Sequence, residues 1–352
     1  MKKSNDYFKQ RNIDNMIKLR IIRENLPSFC CEFFIGIENN TSVLTRLNYA
    51  YDLRIFFFYL TTRVSIFKQI AVENFTINDL KKVTTTHLEL FIDFLSYYTF
   101  NNRSYTNENK GKARKLSTVR AMFKYFYNKD YLSSNPSAKI NMPKINDIEI
   151  VRLETDEVVN LLNIAEFGGS GLTKRQEAYH ERTYLRDTAL LTLFLGTGLR
   201  ISECVGLNIN DIDFSTNGFI ITRKGGNKVI LYFSNEVAQS LKDYLDARKN
   251  DGSPKNEPAL FLSLQNKRIS TRAVQNLVKK YSQIIAPLKN ISPHKLRSTY
   301  GTTLYRETGD IYVVAEVLGH RDVNTTKKHY AAMSDDIRRD AARKVTLRDK
   351  NE

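Results

Sequence analysis

Between residues 133 and 147 the chain reads SSNPSAKINMPKIND, with two of its seven prolines, Pro136 and Pro143, and little apolar periodicity. Such a stretch does not continue a helix or a strand, because proline removes a donor and restricts the residue before it. It reads as a linker. It divides 352 residues into two parts of domain size. Each part is long enough to bury a core without staples. The cysteines, Cys30, Cys31 and Cys204, form neither a disulfide framework nor a zinc-ligand spacing, which fits a reducing compartment. The longest apolar runs, IFFFYL at 55–60 and ALLTLFL at 189–195, are far shorter than the ~18 residues a membrane span needs. MKKSNDYFKQRNIDN starts basic but has no apolar core, so it is no secretory signal. A cytoplasmic protein without membrane contact is expected.

The first part is patterned for helices. Residues 1–25 are polar and basic and read as an arm. TRLNYAYDLRIFFFYLTTR (45–63) places Leu47, Tyr51, Ile55 and Phe58 at helical spacing. TINDLKKV (76–83) opens on a cap at Thr76 or Asn78, and TTTHLELFIDFLSYYTF (84–100) aligns Leu88, Phe91 and Leu95. NNRSYTNENKGKARK reads as a polar loop, and LSTVRAMFKYFYNKDYL (116–132) carries the stripe Leu116, Val119, Phe123 and Phe126. Residues 110–132 hold seven bases (Lys110, Lys112, Arg114, Lys115, Arg120, Lys124, Lys129) against one acid, Asp130. With 54 basic and 38 acidic residues overall, the net charge is +16. A one-signed run in so basic a chain reads as a phosphate-facing surface, and nucleic acid is the expected partner.

The second part mixes element types. LETDEVVNLLNIAE (153–166) starts a helix with Thr155 as its cap. GFIITRKGGNKVILYF (218–233) is a β-hairpin pattern whose tip carries Arg223, Lys224 and Lys228. FGGSGLTK (167–174) lacks the Gly-Lys-Ser/Thr ending of a phosphate loop and reads as a flexible loop. In GTGLRISECVGL, Arg200 stands among apolar residues, so it must reach solvent, pair or meet a ligand. Glu203, three residues on, shares its helix face. In SPHKLRSTYGTTLY, Ser292 and Pro293 suit a helix start, and His294 and Arg297 lie on one face near it, an arrangement suited to an anion. In LGHRDVNTTKKHYAAM, His320 is followed ten residues later by Tyr330. The histidines His320 and His329 lack further ligands for a metal, since His87 and His180 stand in unrelated contexts. No GxSxG turn supports a serine hydrolase.

Taken in order, TGLRISE, the hairpin lysine, HKLRSTYGTTLY and LGHRDVNTTKKHY resemble the boxes of the tyrosine recombinases, the lambda-integrase and Xer class, over residues of about 150–335. TRLNYAYDLRIFFFYL and LSTVRAMFKYFYNKDYLSSNP are similar, more loosely, to the family's helical core-binding domain. The resemblance implies a mainly α fold with a small antiparallel β-sheet, arranged as a C-shaped clamp on DNA. The expected layout is a basic arm at 1–25, a SAM-like core-binding domain at 26–138, a linker at 139–150, a catalytic domain at 151–333, and a tail at 334–352 exchanged between subunits. Tyr330 would be the nucleophile and Lys224 the general acid. Arg200 and Arg297 would hold the scissile phosphate, His294 and His320 would complete the pocket, and Glu203 would orient Arg200. In Xer-type proteins the histidine-to-tyrosine spacing is more often nine, which here falls on His329, a residue that cannot form the phosphotyrosine. DNA contacts are expected from Lys110, Lys112, Arg114, Lys115, Arg120, Lys124, Arg223 and Lys228, with no metal and no cofactor. The implied substrate is a double-stranded site with inverted repeats, bound by a homotetramer that is monomeric when free, and recombined through a Holliday junction. The length favours integration, excision or transposition of a mobile element. Xer-type chromosome-dimer resolution is the alternative, followed by a type IB topoisomerase and a non-catalytic DNA-binding protein.

Overall fold

The computed structural model describes residues 5–145, 151–169, 173–223, 227–250, 254, 257–319 and 323. The chain divides into two compact units, one within Asn5–Ile148 and the other within Glu149–Glu352.

The first unit is helical: α1 (Asn5–Arg23), α2 (Cys30–Gly36), α3 (Val43–Arg63), α4 (Ile77–Leu80), α5 (Thr85–Phe94) and α6 (Asn109–Asn128). The segment expected as an arm is α1, which packs on α3 and buries Leu19 and Ile22 in the unit's core. Its few apolar residues are spaced to reach one face, which polar composition conceals. In α3 the buried face runs through Leu47, Leu53, Phe56, Phe57 and Leu60, while Tyr51 stays exposed. Phe56 is the hub, with ring centroids 5.1 Å from Phe91 and 6.3 Å from Phe123, both edge-on. Capping boxes start α4 and α5: Thr76 pairs with Asp79, and Thr84 with His87.

Part of the stretch read as a polar loop is ordered. β1 (Tyr97–Phe100) pairs antiparallel with β2 (Arg103–Thr106). Asn101 and Asn102, at φ 49° and 58°, make the left-handed pair that a two-residue hairpin turn needs. α6 then begins at Asn109, a full two turns before the apolar stripe that was its sequence signal, and buries Leu116, Val119, Phe123 and Phe126.

The second unit contains α7 (Thr155–Phe167), α8 (Lys174–Glu181), α9 (Tyr184–Thr197), α10 (Ile201–Gly206), α11 (Asn235–Asn250), α12 (Thr271–Ile285), α13 (Pro293–Thr308) and α14 (Ile311–Leu318). Its sheet has the order β3 (Ile212–Asp213), β4 (Gly218–Thr222), β5 (Lys228–Tyr232), all antiparallel, with Phe219 facing Leu231 and Ile221 facing Val229. α9 is the axis, with α7, α11 and α13 packed around it. That explains its nearly continuous buried run from Ala189 to Phe194. α7 is capped by Glu154 rather than Thr155: its backbone N–H donates to Glu157 Oε2 at 2.7 Å. Arginines brace the unit from within. Arg186 donates twice to the buried carboxylate of Asp187, at 2.7 and 2.9 Å, and Tyr281 donates to its other oxygen at 3.0 Å. Arg268 donates to the carbonyls of Val205 and Leu207, tying the end of α10 to the strand-like segment before α12. The resemblance-based expectation of a mainly α fold with small antiparallel sheets matches what is seen.

Candidate active site

Three arginines from different elements meet at one helix end. α14 is capped at its start by Asp310, whose Oδ1 accepts from Tyr312 N at 2.7 Å, and ends at Gly319 in the left-handed region, φ 63°. The last carbonyls of any helix lack partners within it and carry a partial negative charge. Here they are met by guanidiniums. Arg200 Nη2 donates to Gly319 O at 3.1 Å. Arg297 donates from Nη2 to Leu318 O, and from Nη1 to Gly198 O at 2.6 Å. Arg223 Nη1 donates to Glu316 O at 3.0 Å, and its Nη2 to Val317 O.

Local sequence places each of them. Gly198, left-handed at φ 61°, ends α9, and the chain turns so that Arg200 becomes the residue before α10. A Cβ on Gly198 would lie 2.5 Å from Tyr300 and 2.9 Å from Leu318, so only glycine lets α13 and α14 come this close. Glu203 is buried and grips Arg200 at both ends, accepting from its backbone N and from Nη1, each at 2.9 Å. Arg200 keeps 35% of its side chain exposed, so it is oriented without being covered. Pro293 sits at the first position of α13, where its missing N–H costs nothing. Arg297, one turn on, is only 5% exposed. His294 is exposed on the same helix.

Arg223 closes the hairpin through its backbone, donating from N to Asn227 O at 2.8 Å. Burial pushes its guanidinium below the ordinary arginine value. The Glu203 carboxylate opposes that shift, the Arg200 charge adds to it, and the Glu316 carboxylate opposes it again. Three guanidiniums thus face two carboxylates, leaving an excess of positive charge anchored on a helix end. Such a site is built to receive an oxyanion with two or more oxygens to grip, which a planar guanidinium fork does well.

Of the expected catalytic residues, Arg200 and Arg297 are brought together, with Glu203 on Arg200. Lys224, His320 and Tyr330 lie outside the described residues, as do His329 and the tail from 334. The residues expected to touch DNA divide. Arg223 turns inward, as above. Lys115 is buried and donates to Asn107 Oδ1 at 2.7 Å. Arg114 holds the buried carboxylate of Asp52 with both nitrogens, at 2.5 and 2.7 Å, although half its side chain is exposed. Lys110, Lys124 and Lys228 are exposed, and Arg120 and Lys124 line a cleft with Ser117, Asn135 and Lys139. Sequence reading passed over the carbonyl end of α14. Its signal was there: an aspartate cap, eight residues that are apolar but for Tyr312 and Glu316, and a closing glycine, from Asp310 to Gly319.

The phage integrase family model matches residues 152–336. A tyrosine recombinase XerC of Caldanaerobacter subterraneus subsp. tengcongensis is 33% identical over 303 residues, 85% of this chain and 80% of that one. Among solved structures, the XerH site-specific recombinase bound to palindromic difH substrate superposes with a TM-score of 0.61 at 20% identity, over 82% of this chain and 77% of the other. The Tn1549 transposon integrase in complex with circular intermediate DNA also gives 0.61, at 19% identity, over 86% and 95%. The chain belongs to the phage integrase family and is a tyrosine recombinase, an enzyme that breaks and rejoins DNA. No described helix is long and apolar enough to cross a membrane.

Proposed function

We propose that this chain is a Xer-type site-specific recombinase that cuts and rejoins a double-stranded site with inverted repeats. The observation that carries the chemistry is the guanidinium cluster on the end of α14, with Arg200 held by Glu203 and Arg297 buried behind it. In the reading supported by that cluster, Arg200 and Arg297 take the non-bridging oxygens of the scissile phosphate. The Tyr330 hydroxyl attacks phosphorus. Its oxygen–phosphorus bond forms as the bond from phosphorus to the 5′ oxygen breaks. The tyrosine proton passes to His294 or His320, and Lys224 gives a proton to the departing 5′ oxygen. The products are a 3′-phosphotyrosine and a free 5′-hydroxyl, and the reverse step rejoins DNA without ATP because the phosphoester is conserved. Charge stabilisation comes from arginines fixed beforehand, so little reorganisation accompanies the reaction.

The XerC relative, matched over most of both chains, supports a Xer-type recombinase over the mobile-element task that the length favoured, and the task proposed for it is chromosome-dimer resolution. The Tn1549 integrase likeness supports the second reading only at the level of fold. The palindromic substrate of XerH supports a site made of inverted repeats. A nicked suicide substrate carrying the site is expected to trap a covalent protein–DNA adduct, absent with Tyr330→Phe. Site-specific binding by the intact chain with no adduct would overturn the enzymatic reading. A plasmid carrying two copies of the site is expected to be resolved. Relaxation of any supercoiled plasmid, with no site required, would make it a topoisomerase instead.

A further inference from the structure

We propose that Arg223 is a positioning residue: it ties the end of β4, immediately before Lys224 in the sequence, to the carbonyl end of α14, and it is not a DNA contact. This rests on the reading above, in which Lys224 is the general acid. The hairpin and α14 are far apart in sequence, and Arg223 joins them with two hydrogen bonds, to Glu316 O at 3.0 Å and to Val317 O. The fit is close. A Cβ on Gly319 would lie 2.0 Å from Arg223 Nη1, so the guanidinium lies against the bare Cα of the glycine that closes α14. Among the described residues, Arg223 Nε is buried without a hydrogen-bond partner, and a head held inside in this way is not a fully solvated cation.

The same helix end holds Arg297 at Leu318 and Arg200 at Gly319, so the four successive carbonyls from Glu316 to Gly319 each accept from a guanidinium. Arg200 and Arg297 arrive from the α9–α10 turn and from α13, whereas Arg223 alone arrives from the sheet. It is therefore the link through which the position of the sheet's hairpin is referred to the phosphate-gripping arginines. A lysine in its place would keep the charge but not the two-point fork.

The test uses the full-length protein and two versions of the nicked suicide substrate. One has the natural 5′ oxygen at the scissile phosphate and the other a bridging 5′ sulfur, whose departure needs no proton. Arg223→Ala is expected to bind DNA within about two-fold of the intact protein, with an unchanged salt slope, and to cleave the oxygen substrate about ten- to a hundred-fold more slowly. The sulfur substrate is expected to restore its rate to within a few-fold of the intact protein's. Arg223→Lys should behave like Arg223→Ala. Normal DNA binding certifies that each variant is folded, and Arg223→Gln replaces any that is not. A parallel loss of DNA affinity and salt slope in Arg223→Ala would make it a DNA contact and overturn the proposal. Slow cleavage that sulfur does not restore would overturn it too, provided sulfur restores Lys224→Ala. If sulfur fails with Lys224→Ala, the general-acid reading falls and this inference with it.

Discussion

α6 and the end of α14 both gather positive charge, and they do it in opposite ways. On α6 the cations divide between jobs: Lys110 and Lys124 stay exposed, while Lys115 and Arg114 are engaged by Asn107 and the buried Asp52. Burial pushes the Asp52 carboxyl up from its ordinary value, and the Arg114 charge and hydrogen bonds pull it back. That pair is neutral, so it holds α6 on α3 more than it attracts DNA. At α14 the partners are mostly carbonyls, which fix a guanidinium without cancelling its charge. Net charge alone therefore says little about where a basic protein meets phosphate. What matters is whether the internal partner of each cation is a carboxylate or a carbonyl.

The comparison breaks most decisively at Arg297. Arg297→Ala takes the guanidinium away from the Gly198 and Leu318 carbonyls and removes the proposed phosphate ligand. Cleavage of a suicide substrate is expected to fall by about a hundred-fold or more. Arg297→Lys should recover little of it, because one ammonium cannot serve both carbonyls and a phosphate. A lysine variant that cleaves normally would mean that charge, not the fork, is what the site needs. Gly198→Ala comes next. The φ of 61° and the contact with Tyr300 should cost about 1–3 kcal/mol in unfolding stability and slow cleavage as α14 is pushed away. An alanine variant with wild-type stability would show that α13 and α14 are not held as closely as described.

In the first unit, Arg114→Ala leaves the Asp52 carboxylate buried with, among the described residues, only Thr118 donating to it. It should destabilise that unit by about 1–3 kcal/mol, read by urea unfolding. A stable variant with weakened DNA binding would return Arg114 to the phosphate-contacting set. The smallest effect is expected at Lys124, which is exposed in the cleft beside α6. Lys124→Ala should leave stability unchanged within about 0.5 kcal/mol and lower the salt slope of DNA binding by about one.

The two regions also differed in how legible they were. Helix-spaced apolar residues such as Leu116, Val119 and Phe123 announced α6, because burial forces that spacing. Asn101 and Asn102 were passed over as loop, since their signal is a left-handed backbone and not an apolar pattern. α1 was hidden by its polarity, because only a few side chains, Leu19 and Ile22 among them, do its packing. For the candidate site, motif spacing singled out Arg200, Glu203 and Arg297, which the fold brings together. It gave no hint that Arg223 faces inward, because a side chain's direction at the end of a strand depends on an element some ninety residues later in the chain. Backbone carbonyls carry no residue identity, so a site organised around them leaves almost no trace in the sequence.

The arginine cluster is also among the least local structures in the chain. Arg200 bonds to a carbonyl 119 residues onward, and Arg297 to one 99 residues back. Contacts that distant form late, after shorter loops have closed. On a growing chain, α6 with its exposed lysines can fold while α14 is still unmade. The lysines proposed to meet DNA are thus in place well before the arginine cluster proposed to grip the phosphate. A truncated or stalled chain would present the exposed lysines of α6 without the arginine cluster.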